Sequence, residues 1–369
     1  MTIDNSDKIR VALVDDSSII RGILARTLTT DPSIEIVASV SNGELGVHIA
    51  ESKKPDILIL DVEMPVMDGI TALPLIIKAS PKTKVIMCST LTEKGADITL
   101  KAMALGAVET IAKPSNTIET GSDSAFKARL IQLVKSLASH VAHRTQNAAP
   151  ARDRVATTPI STALKPKMPV ILRNDTHAYK GRPDILAIGS STGGPNALFK
   201  VVKDLKNIDI PIVITQHMPK TFTKVLAQHI TDQTGIETFE GEEGMTVERG
   251  KAYVAPGGMH MVFRKDGMNV KIKLDDGPPE NFCKPAVDVM LRSLISIYGK
   301  KVLCAILTGM GSDGLKGAQE LAGLGGRIIA QDEKTSIVWG MPGAVAQNQL
   351  CSAVLPLEGI GPWLMNATK

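Results

Sequence analysis

Charged and hydroxyl side chains follow four apolar runs in the first third of the chain. Asp15 and Asp16 come directly after IRVALV, Asp61 follows DILIL, Ser89 follows VIMC, and Lys113 follows VETIA. The carboxyl ends of parallel strands meet at one edge of a sheet, so these side chains are expected to converge. Three carboxylates beside an ammonium group favour bound Mg²⁺, which prefers oxygen ligands. A carboxylate held in this way can act as a nucleophile toward a phosphoryl group.

The residue types suggest separate roles within this first group. Asp16 and Asp61 suit direct contact with Mg²⁺, and Asp15 suits contact through water. Lys113 and the metal would neutralise charge on the phosphoryl oxygens, and Ser89 would donate a hydrogen bond to the product. The alternative is that Asp15 and Asp16 cap the following helix while Lys113 is a solvated charge. Their joint occurrence at four strand ends favours a phosphorylation site.

A second group of polar residues lies in the last half of the chain. Residues 189–193 read GSSTG between the run DILAIG and a helical segment near Pro195, the strand-turn-helix setting of a GxSxG turn centred on Ser191. His217 follows PIVITQ, and Asp313 follows KVLCAIL in a glycine-rich turn. A serine, a base and an orienting carboxylate at three strand ends predict acyl hydrolysis that needs no cofactor.

Each member of the second group has a plainer interpretation when taken alone. The turn around Ser191 also suits a phosphate, which would make the second half a nucleotide-binding domain, although GSSTGGP has neither the GxGxxG fingerprint nor the lysine of GxxxxGK[ST]. His217 could cap a helix or pack in a core, and Asp313 could cap a helix. The three residues together favour catalysis.

Alternating apolar runs and amphipathic segments would position both groups. Over 9–114, five strand-helix repeats predict a parallel sheet covered by helices on both faces, a doubly wound α/β domain. Apolar spacing over 124–144 predicts a helix that closes this domain. Alternation resumes at 184 and predicts a second doubly wound α/β domain. Two alternating runs around the Asp-Gly pair at 266–267 predict an antiparallel hairpin within it.

The segment between the two domains differs in composition. From Thr145 to Pro183 the chain is rich in Ala, Thr, Pro and Lys with little periodicity, which is typical of a linker. We therefore predict a phosphorylation domain at 8–125, a closing helix with a flexible linker at 126–183, and a catalytic domain at 184–369.

Composition limits the class of partner. The 42 Lys and Arg against 38 Asp and Glu give a net charge of +4, and no basic recognition helix is evident, which disfavours nucleic acid as a partner. The N-terminus has no apolar signal core, and no apolar run approaches the roughly 20 residues that span a bilayer. We expect a cytoplasmic protein without membrane insertion. Four cysteines without metal-type spacing are expected to be reduced and buried: Cys88, Cys283, Cys304 and Cys351.

The first group resembles the receiver domains of two-component response regulators. The matching motifs are DD at 15–16, DVEMPVMDG around Asp61, Ser89, and KP at 113–114. The resemblance covers residues 8 to about 125 and implies a flavodoxin-like fold, a histidine kinase as phosphodonor, Asp61 as phosphoacceptor, and the main-chain carbonyl of Glu63 as a further Mg²⁺ ligand. One position departs from the pattern: a residue that is often aromatic in receivers is Thr110, so the usual aromatic rotamer switch is not expected.

The second group resembles the CheB-type methylesterase domain over about 184–367. The matching motifs, in the family's order, are IGSSTGGP, ITQHMP, VAPGGMH and LTGMGSDG. The resemblance implies the following site residues: Ser191, His217 and Asp313 as a catalytic triad, Ser190 and Thr192 lining the site, and the backbone around Met310 helping to bind the oxyanion.

The two resemblances together imply a regulated hydrolase. Its expected substrates are glutamate methyl esters on the cytoplasmic helices of chemoreceptors, with deamidation of specific receptor glutamines as a second activity, and its expected location is the receptor array. We hypothesise that the unphosphorylated receiver obstructs the hydrolase cleft and that phosphorylation of Asp61 opens it. A phosphorylation-controlled binding protein that docks on receptors without hydrolysis is the alternative from another functional class.

Overall fold

The computed structural model describes residues 8–90, 92–113, 122–146, 170–174 and 178–369 of the chain. The linker expected between Thr145 and Pro183 falls mostly outside these residues, as does Pro114 of the KP pair. Among the described helices, none is long and apolar enough to cross a membrane.

Five parallel strands form the first sheet, in the order β2-β1-β3-β4-β5. The strands are β1 (Ile9–Val14), β2 (Ile34–Val40), β3 (Ile57–Asp61), β4 (Lys84–Ser89) and β5 (Glu109–Ala112). The helices are α1 (Ser18–Leu28), α2 (Gly43–Lys53), α3 (Gly69–Ala79), α4 (Glu93–Ala104) and α5 (Ser122–Gln146). The chain order reverses between β1 and β3, and ligands of doubly wound sheets bind at such a switch point. All five predicted strands of this sheet are confirmed.

Side-chain caps begin the helices of this domain. Ser17 accepts a hydrogen bond from the Ile20 N–H at the start of α1, and Asp68 does the same for Thr71 at the start of α3. Since Ser17 caps α1, Asp15 does not, and its carboxylate accepts the Ser17 N–H at 2.8 Å instead. The capping interpretation of Asp15 is therefore wrong, which leaves its second oxygen free for the site.

Seven parallel strands form the second sheet, in the order β14-β13-β12-β6-β7-β9-β8. The strands are β6 (Ile185–Ser190), β7 (Ile212–Gln216), β8 (Thr238–Glu240), β9 (Ala252–Val254), β12 (Val302–Ile306), β13 (Arg327–Gln331) and β14 (Ala353–Leu355). The helices are α6 (Gly194–Lys203), α7 (Lys220–Thr234), α8 (Val287–Tyr298), α9 (Leu315–Gly323), α10 (Met341–Gln347) and α11 (Leu357–Ala367). Here the order reverses between β6 and β12, which makes that edge a second switch point.

The predicted hairpin is confirmed as a separate two-stranded sheet. Strands β10 (His260–Asp266) and β11 (Asn269–Asp275) pair antiparallel around Gly267, whose φ is +60°. Phe263 and Ile272 on its inner face pack into the core beneath the second sheet. His260 begins β10 and is buried.

The two domains contact each other through α4. Leu100 and Met103 on α4 are buried in one core cluster with residues of α6 and α7. Polar contacts frame this apolar patch: Asn196 Nδ2 donates to the Met103 carbonyl at 2.8 Å, and His229 Nε2 lies 2.8 Å from Asp97 Oδ1. The first domain therefore packs against the helices that flank the second switch point.

Candidate functional site

The first sheet brings the three predicted metal ligands together. Asp15, Asp16 and Asp61 each place a carboxylate oxygen within 4.8 Å of the others. Asp15 and Asp61 are buried, whereas Asp16 is exposed. Asp15 Oδ2 and Asp61 Oδ1 have no hydrogen-bond donor among the described residues. Buried, unsatisfied carboxylate oxygens are costly unless a cation compensates them, so this donor set fits Mg²⁺.

Lys113 places one positive charge beside the three carboxylates. Its ammonium lies 2.7 Å from Asp61 Oδ2 and 3.5 Å from Asp15 Oδ2. Burial raises the pKa of Asp61 to about 6, with Lys113 opposing that rise and the charge of Asp15 adding to it. Asp61 is therefore ionised near neutral pH, as a carboxylate nucleophile must be.

The other predicted receiver positions surround this cluster. Ser89 ends β4 and is buried, and its Oγ lies 3.0 Å from the Thr99 hydroxyl on α4. Thr110 Oγ1 is buried without a hydrogen-bond partner among the described residues. Glu63 lies two residues after β3 in the loop that leads to α3, and the role of its carbonyl stays a prediction.

In the second sheet, Ser191 is the first residue after β6, the strand between β12 and β7. Its N–H donates to the Thr308 carbonyl at 3.0 Å. Gly193 begins α6 with a φ of +75°, a left-handed conformation that permits the sharp turn. Gly309 lies so close that an added Cβ would be 2.8 Å from the Ser191 Cβ. The turn therefore requires glycine at position 193, and the neighbouring loop after β12 requires glycine at position 309.

His217 and Asp313 come from the strands on either side of Ser191. His217 directly follows β7, and Asp313 lies in the loop between β12 and α9. His217 Nε2 lies 2.8 Å from Asp313 Oδ2, with both side chains largely buried. No hydrogen bond joins Ser191 Oγ to His217 among the described residues. The base and its carboxylate are thus paired in this arrangement, whereas the serine is not yet engaged.

Asp313 is held in place by several donors besides His217. Its oxygens accept the N–H groups of Val287, Asp288 and Gly314 and the side-chain amide of Asn281. Burial raises the pKa of Asp313, but the hydrogen bond and the charge of His217 outweigh it, so the net shift is downward. A carboxylate with this many donors stays ionised and keeps one orientation.

Ser190 and Thr192 lie on either side of Ser191 in the chain. Ser190 is buried, and its Oγ donates to Gln216 Oε1 at 2.6 Å. Gln216 Nε2 in turn donates to the Ser191 carbonyl at 2.9 Å. Sequence reasoning missed this glutamine, although it ends β7 within the ITQHMP motif. Met310 follows Gly309 and packs against the receiver core, and the oxyanion role of its backbone stays a prediction.

Cys283 corrects the expectation that every cysteine is buried. Cys88, Cys304 and Cys351 are buried, but Cys283 is partly exposed. Its sulfur lies 3.4 Å from Nδ1 of His217, the ring nitrogen that Asp313 does not occupy. Sequence spacing carried no signal for this contact, because positions 217 and 283 belong to different loops of the second sheet.

A residue of the first domain also reaches this site. Burial raises the pKa of Glu109 on β5, despite hydrogen bonds from Thr110 and Thr192 and the nearby charge of His217. Glu109 is therefore close to both Thr192 and His217. The first domain thus contributes a carboxyl group to the rim of the second site.

We expect hydrolysis by the full-length chain to rise as pH increases toward about 9. Burial lowers the pKa of His217, but hydrogen bonds with Asp313 and Cys283 outweigh it and raise the pKa to about 9. Below that pH, His217 retains its proton and cannot accept one from Ser191. Initial rates of product release should be measured across this range, with the rate of a Ser191→Ala variant subtracted for alkaline hydrolysis. A rate that is level from about pH 7 to about 9 would contradict the raised pKa.

Comparison with known proteins gives matches in both halves of the chain. Residues 186–364 match the CheB methylesterase family and residues 11–120 match the response regulator receiver domain. A protein-glutamate methylesterase/protein-glutamine glutaminase from Paramagnetospirillum magneticum is 48% identical over 372 residues, covering 98% of this chain and 96% of the relative. A protein of the same name from Azospirillum brasilense is 48% identical over 366 residues, covering 97% and 92%. The crystal structure of the Thermotoga maritima CheB methylesterase catalytic domain aligns with a TM-score of 0.49 at 40% identity, covering 50% of this chain and 99% of that one.

Proposed function

Because the chain belongs to the CheB methylesterase family, we propose that it is a phosphorylation-regulated protein-glutamate methylesterase that also deamidates specific glutamines of chemoreceptors. The observation that carries this proposal is the His217–Asp313 pair, 2.8 Å apart, beside the strand end that presents Ser191. A nucleophile, a base and an orienting carboxylate are the groups that acyl transfer to water requires.

His217 acts as the base through Nδ1, since Asp313 holds Nε2. Nδ1 first exchanges its contact with Cys283 for one with Ser191 Oγ. The Ser191 oxygen then attacks the side-chain carbonyl of a receptor glutamate ester, and methanol leaves with the proton from His217. Water next attacks the acyl-enzyme and releases glutamate. A glutamine substrate follows the same course, with ammonia as the leaving group.

Asp313 fixes the orientation of the His217 ring throughout these steps. It favours a proton on Nε2, which leaves Nδ1 of the neutral ring as the acceptor, and it stabilises the cation that forms when Nδ1 accepts the serine proton. The N–H groups at the start of α6 and the backbone around Met310 are suited to holding the oxyanion. Gln216 keeps the Ser191 backbone in place through its 2.9 Å hydrogen bond.

In the receiver, Asp61 accepts a phosphoryl group from a histidine kinase. Asp15, Asp16 and Asp61 would hold Mg²⁺ together with the Glu63 carbonyl, and the ion would neutralise the phosphoryl oxygens. Lys113, which pairs with Asp61 before transfer, adds positive charge at the same place.

A short path links Asp61 to the helix that contacts the hydrolase. Ser89 ends β4, the strand next to β3, and its Oγ accepts a hydrogen bond from the Thr99 hydroxyl on α4 at 3.0 Å. A new phosphoryl group would accept the Ser89 proton and draw Ser89 toward Asp61, which would alter its bond with Thr99 and allow α4 to shift. Leu100 lies one residue further along α4, in the apolar contact with the hydrolase. With Thr110 in place of an aromatic residue, this hydroxyl pair provides a local route for the signal.

In this arrangement the receiver covers the rim of the hydrolase site. It carries Glu109 to the rim beside Thr192, and separation of the domains would remove this carboxyl group. We place this regulated protein in the cytoplasm at receptor arrays, where the methylated receptor helices and the kinase would be found together.

The proposed function is tested by methanol release from methylated receptor membranes, with and without a small-molecule phosphodonor and Mg²⁺. We expect the donor to increase release by the wild type and to have no effect on Asp61→Asn, because the amide is a poor acceptor of a phosphoryl group. Ammonia release from receptors with glutamine at the same positions tests deamidation. Equal stimulation of both proteins would contradict phosphorylation of Asp61 as the control.

We expect Leu100→Lys to raise methanol release in the absence of phosphodonor. A charged side chain in the buried contact between α4 and the hydrolase would weaken that contact, since burying an unpaired ammonium is costly. Leu105→Lys is the matched control, because Leu105 ends the same helix but is 47% exposed. Phosphorylation of Asp61 should persist in both variants as a sign of folding. If the two variants release methanol at the same rate without donor, the α4 contact does not inhibit.

A further inference from the structure

The sulfur of Cys283 is held against the His217 ring by an anchored turn. Glu280 and Cys283 exchange backbone hydrogen bonds of 3.1 and 2.9 Å across residues 280–283. Arg292 on α8 contacts both oxygens of the Glu280 carboxylate. These hydrogen bonds hold the turn in place, and the turn positions the Cys283 thiol beside His217.

His217 and Asp313 are arranged beside the Cys283 sulfur as a base and its carboxylate are arranged beside an activated nucleophile. Cys283 Sγ lies 3.4 Å from His217 Nδ1, and Nε2 of the same ring lies 2.8 Å from Asp313 Oδ2. A thiol, a base and an orienting carboxylate in this order are the groups that activate a cysteine for attack on an electrophile. In this arrangement the base contacts Cys283 rather than Ser191.

Cys283 is partly exposed, whereas the other three cysteines are buried, and the structure describes all four. Its neighbour Phe282 is fully exposed, so the turn reaches solvent in the full-length chain. Burial raises the thiol pKa of the other three and keeps them away from reagents: Cys88, Cys304 and Cys351. These three serve as internal controls.

A metal ion is a poorer interpretation of the same cluster. His217, Cys283 and Asp313 place potential ligand atoms within 4.8 Å of one another. However, the Asp313 oxygens already accept hydrogen bonds from four neighbouring groups and from His217. One sulfur and one ring nitrogen remain, fewer than the three protein ligands of an open zinc site.

We propose that Cys283 is a covalent modification site for small soft electrophiles and that its modification inactivates the hydrolase. With iodoacetamide as the probe, the sulfur forms a bond to the methylene carbon, the carbon–iodine bond breaks, and iodide leaves. The thiol proton goes to water, and the protonated His217 ring beside the sulfur stabilises the negative charge of the attacking thiolate. The attached group occupies the space at Nδ1 that Ser191 has to reach. Only the activity readout rests on the proposed hydrolase function.

The test treats full-length protein with limiting iodoacetamide and follows two readouts. Peptide mass spectrometry measures which cysteine is labelled, and methanol release measures activity. We expect Cys283 to be labelled at least about tenfold faster than any buried cysteine, with activity falling in step with that label. His217→Gln should slow the labelling of Cys283 about tenfold or more, because the neutral amide supplies no positive charge beside the sulfur.

Cys283→Ala tests whether the loss of activity comes from labelling of Cys283 or from another effect of iodoacetamide. Its activity after treatment is compared with its own activity before treatment, and we expect no loss. Preferential labelling of a buried cysteine, or full activity in fully labelled wild type, would overturn the proposal. Labelling of His217→Gln at the wild-type rate would also overturn it, because His217 would then have no effect on the reaction of the thiol. If no protein releases methanol, the labelling rates alone still decide whether Cys283 is activated, and the proposed function fails separately.

Discussion

Replacement of Ser191 with alanine is expected to reduce methanol release from methylated receptors about a millionfold, to the background rate. The structure presents Ser191 at the end of the central strand β6, next to the strand end that carries His217. Without Oγ there is no acyl-enzyme, and water must attack the ester directly. Methanol release should be measured with phosphodonor present, so that the domain contact does not mask the difference.

Ser190→Ala is the matched control for that experiment. Ser190 is the adjacent residue and is fully buried, but its hydroxyl donates to Gln216 rather than facing the substrate. We expect this variant to retain most of the activity that Ser191→Ala loses. Equal release by Ser191→Ala and wild type would remove Ser191 as nucleophile and favour a protein that binds receptors without hydrolysing them.

The second large effect is expected for Asp313→Asn, which should lower the rate of methanol release about ten-thousandfold. The carboxylate accepts the His217 N–H at 2.8 Å together with three backbone N–H groups. An amide at this position would either point its NH₂ group at the N–H on Nε2 of His217 or favour the tautomer with the proton on Nδ1. In that tautomer Nδ1 cannot accept the proton of Ser191. The pKa of His217 should also fall in this variant, because a hydrogen bond that raises it is lost.

Asp288→Asn is the matched control for Asp313→Asn, because it makes the same chemical change at a neighbouring buried carboxylate. Asp288 is buried and accepts hydrogen bonds from the Gly317 N–H and the Asn281 amide, but it has no hydrogen bond with His217. Burial raises its pKa to about 6, so the neutral side chain is better tolerated there than at Asp313. We expect a much smaller loss of rate, and thermal unfolding should show that both variants are folded. Similar losses in the two variants would indicate a structural rather than a catalytic role for Asp313.

Both sites follow the same topological rule. In each sheet, the strands that carry the key side chains lie at the point where the chain order reverses: β1 and β3 for Asp15 and Asp61, and β6 and β12 for Ser191 and Asp313. Connections leave such a point in opposite directions, which opens a crevice at the carboxyl ends of the strands. The proposed sites of phosphorylation and hydrolysis therefore occupy equivalent positions in the two sheets, and α4 packs against the helices that flank the second one.

The sequence by itself determined the elements and the residues that end them. Alternation of apolar runs with amphipathic segments is a local property, so all five strands of the first sheet and the hairpin at 266–267 could be predicted. Short strands such as β8 and β14, each of three residues, carried too little pattern to be named. The positions of Asp61, Ser191, His217 and Asp313 at strand ends followed from the same local pattern.

Tertiary structure alone decided which distant side chains meet. The contact of Cys283 with His217, the approach of Glu109 to Thr192, and the burial of α4 between the domains depend on loop paths and on how two separately folded sheets pack. Local periodicity reports which face of an element is apolar, but it does not report what covers that face. Sequence therefore predicted the two chemistries, whereas packing decided that the two domains are in contact and that the Cys283 thiol lies beside His217.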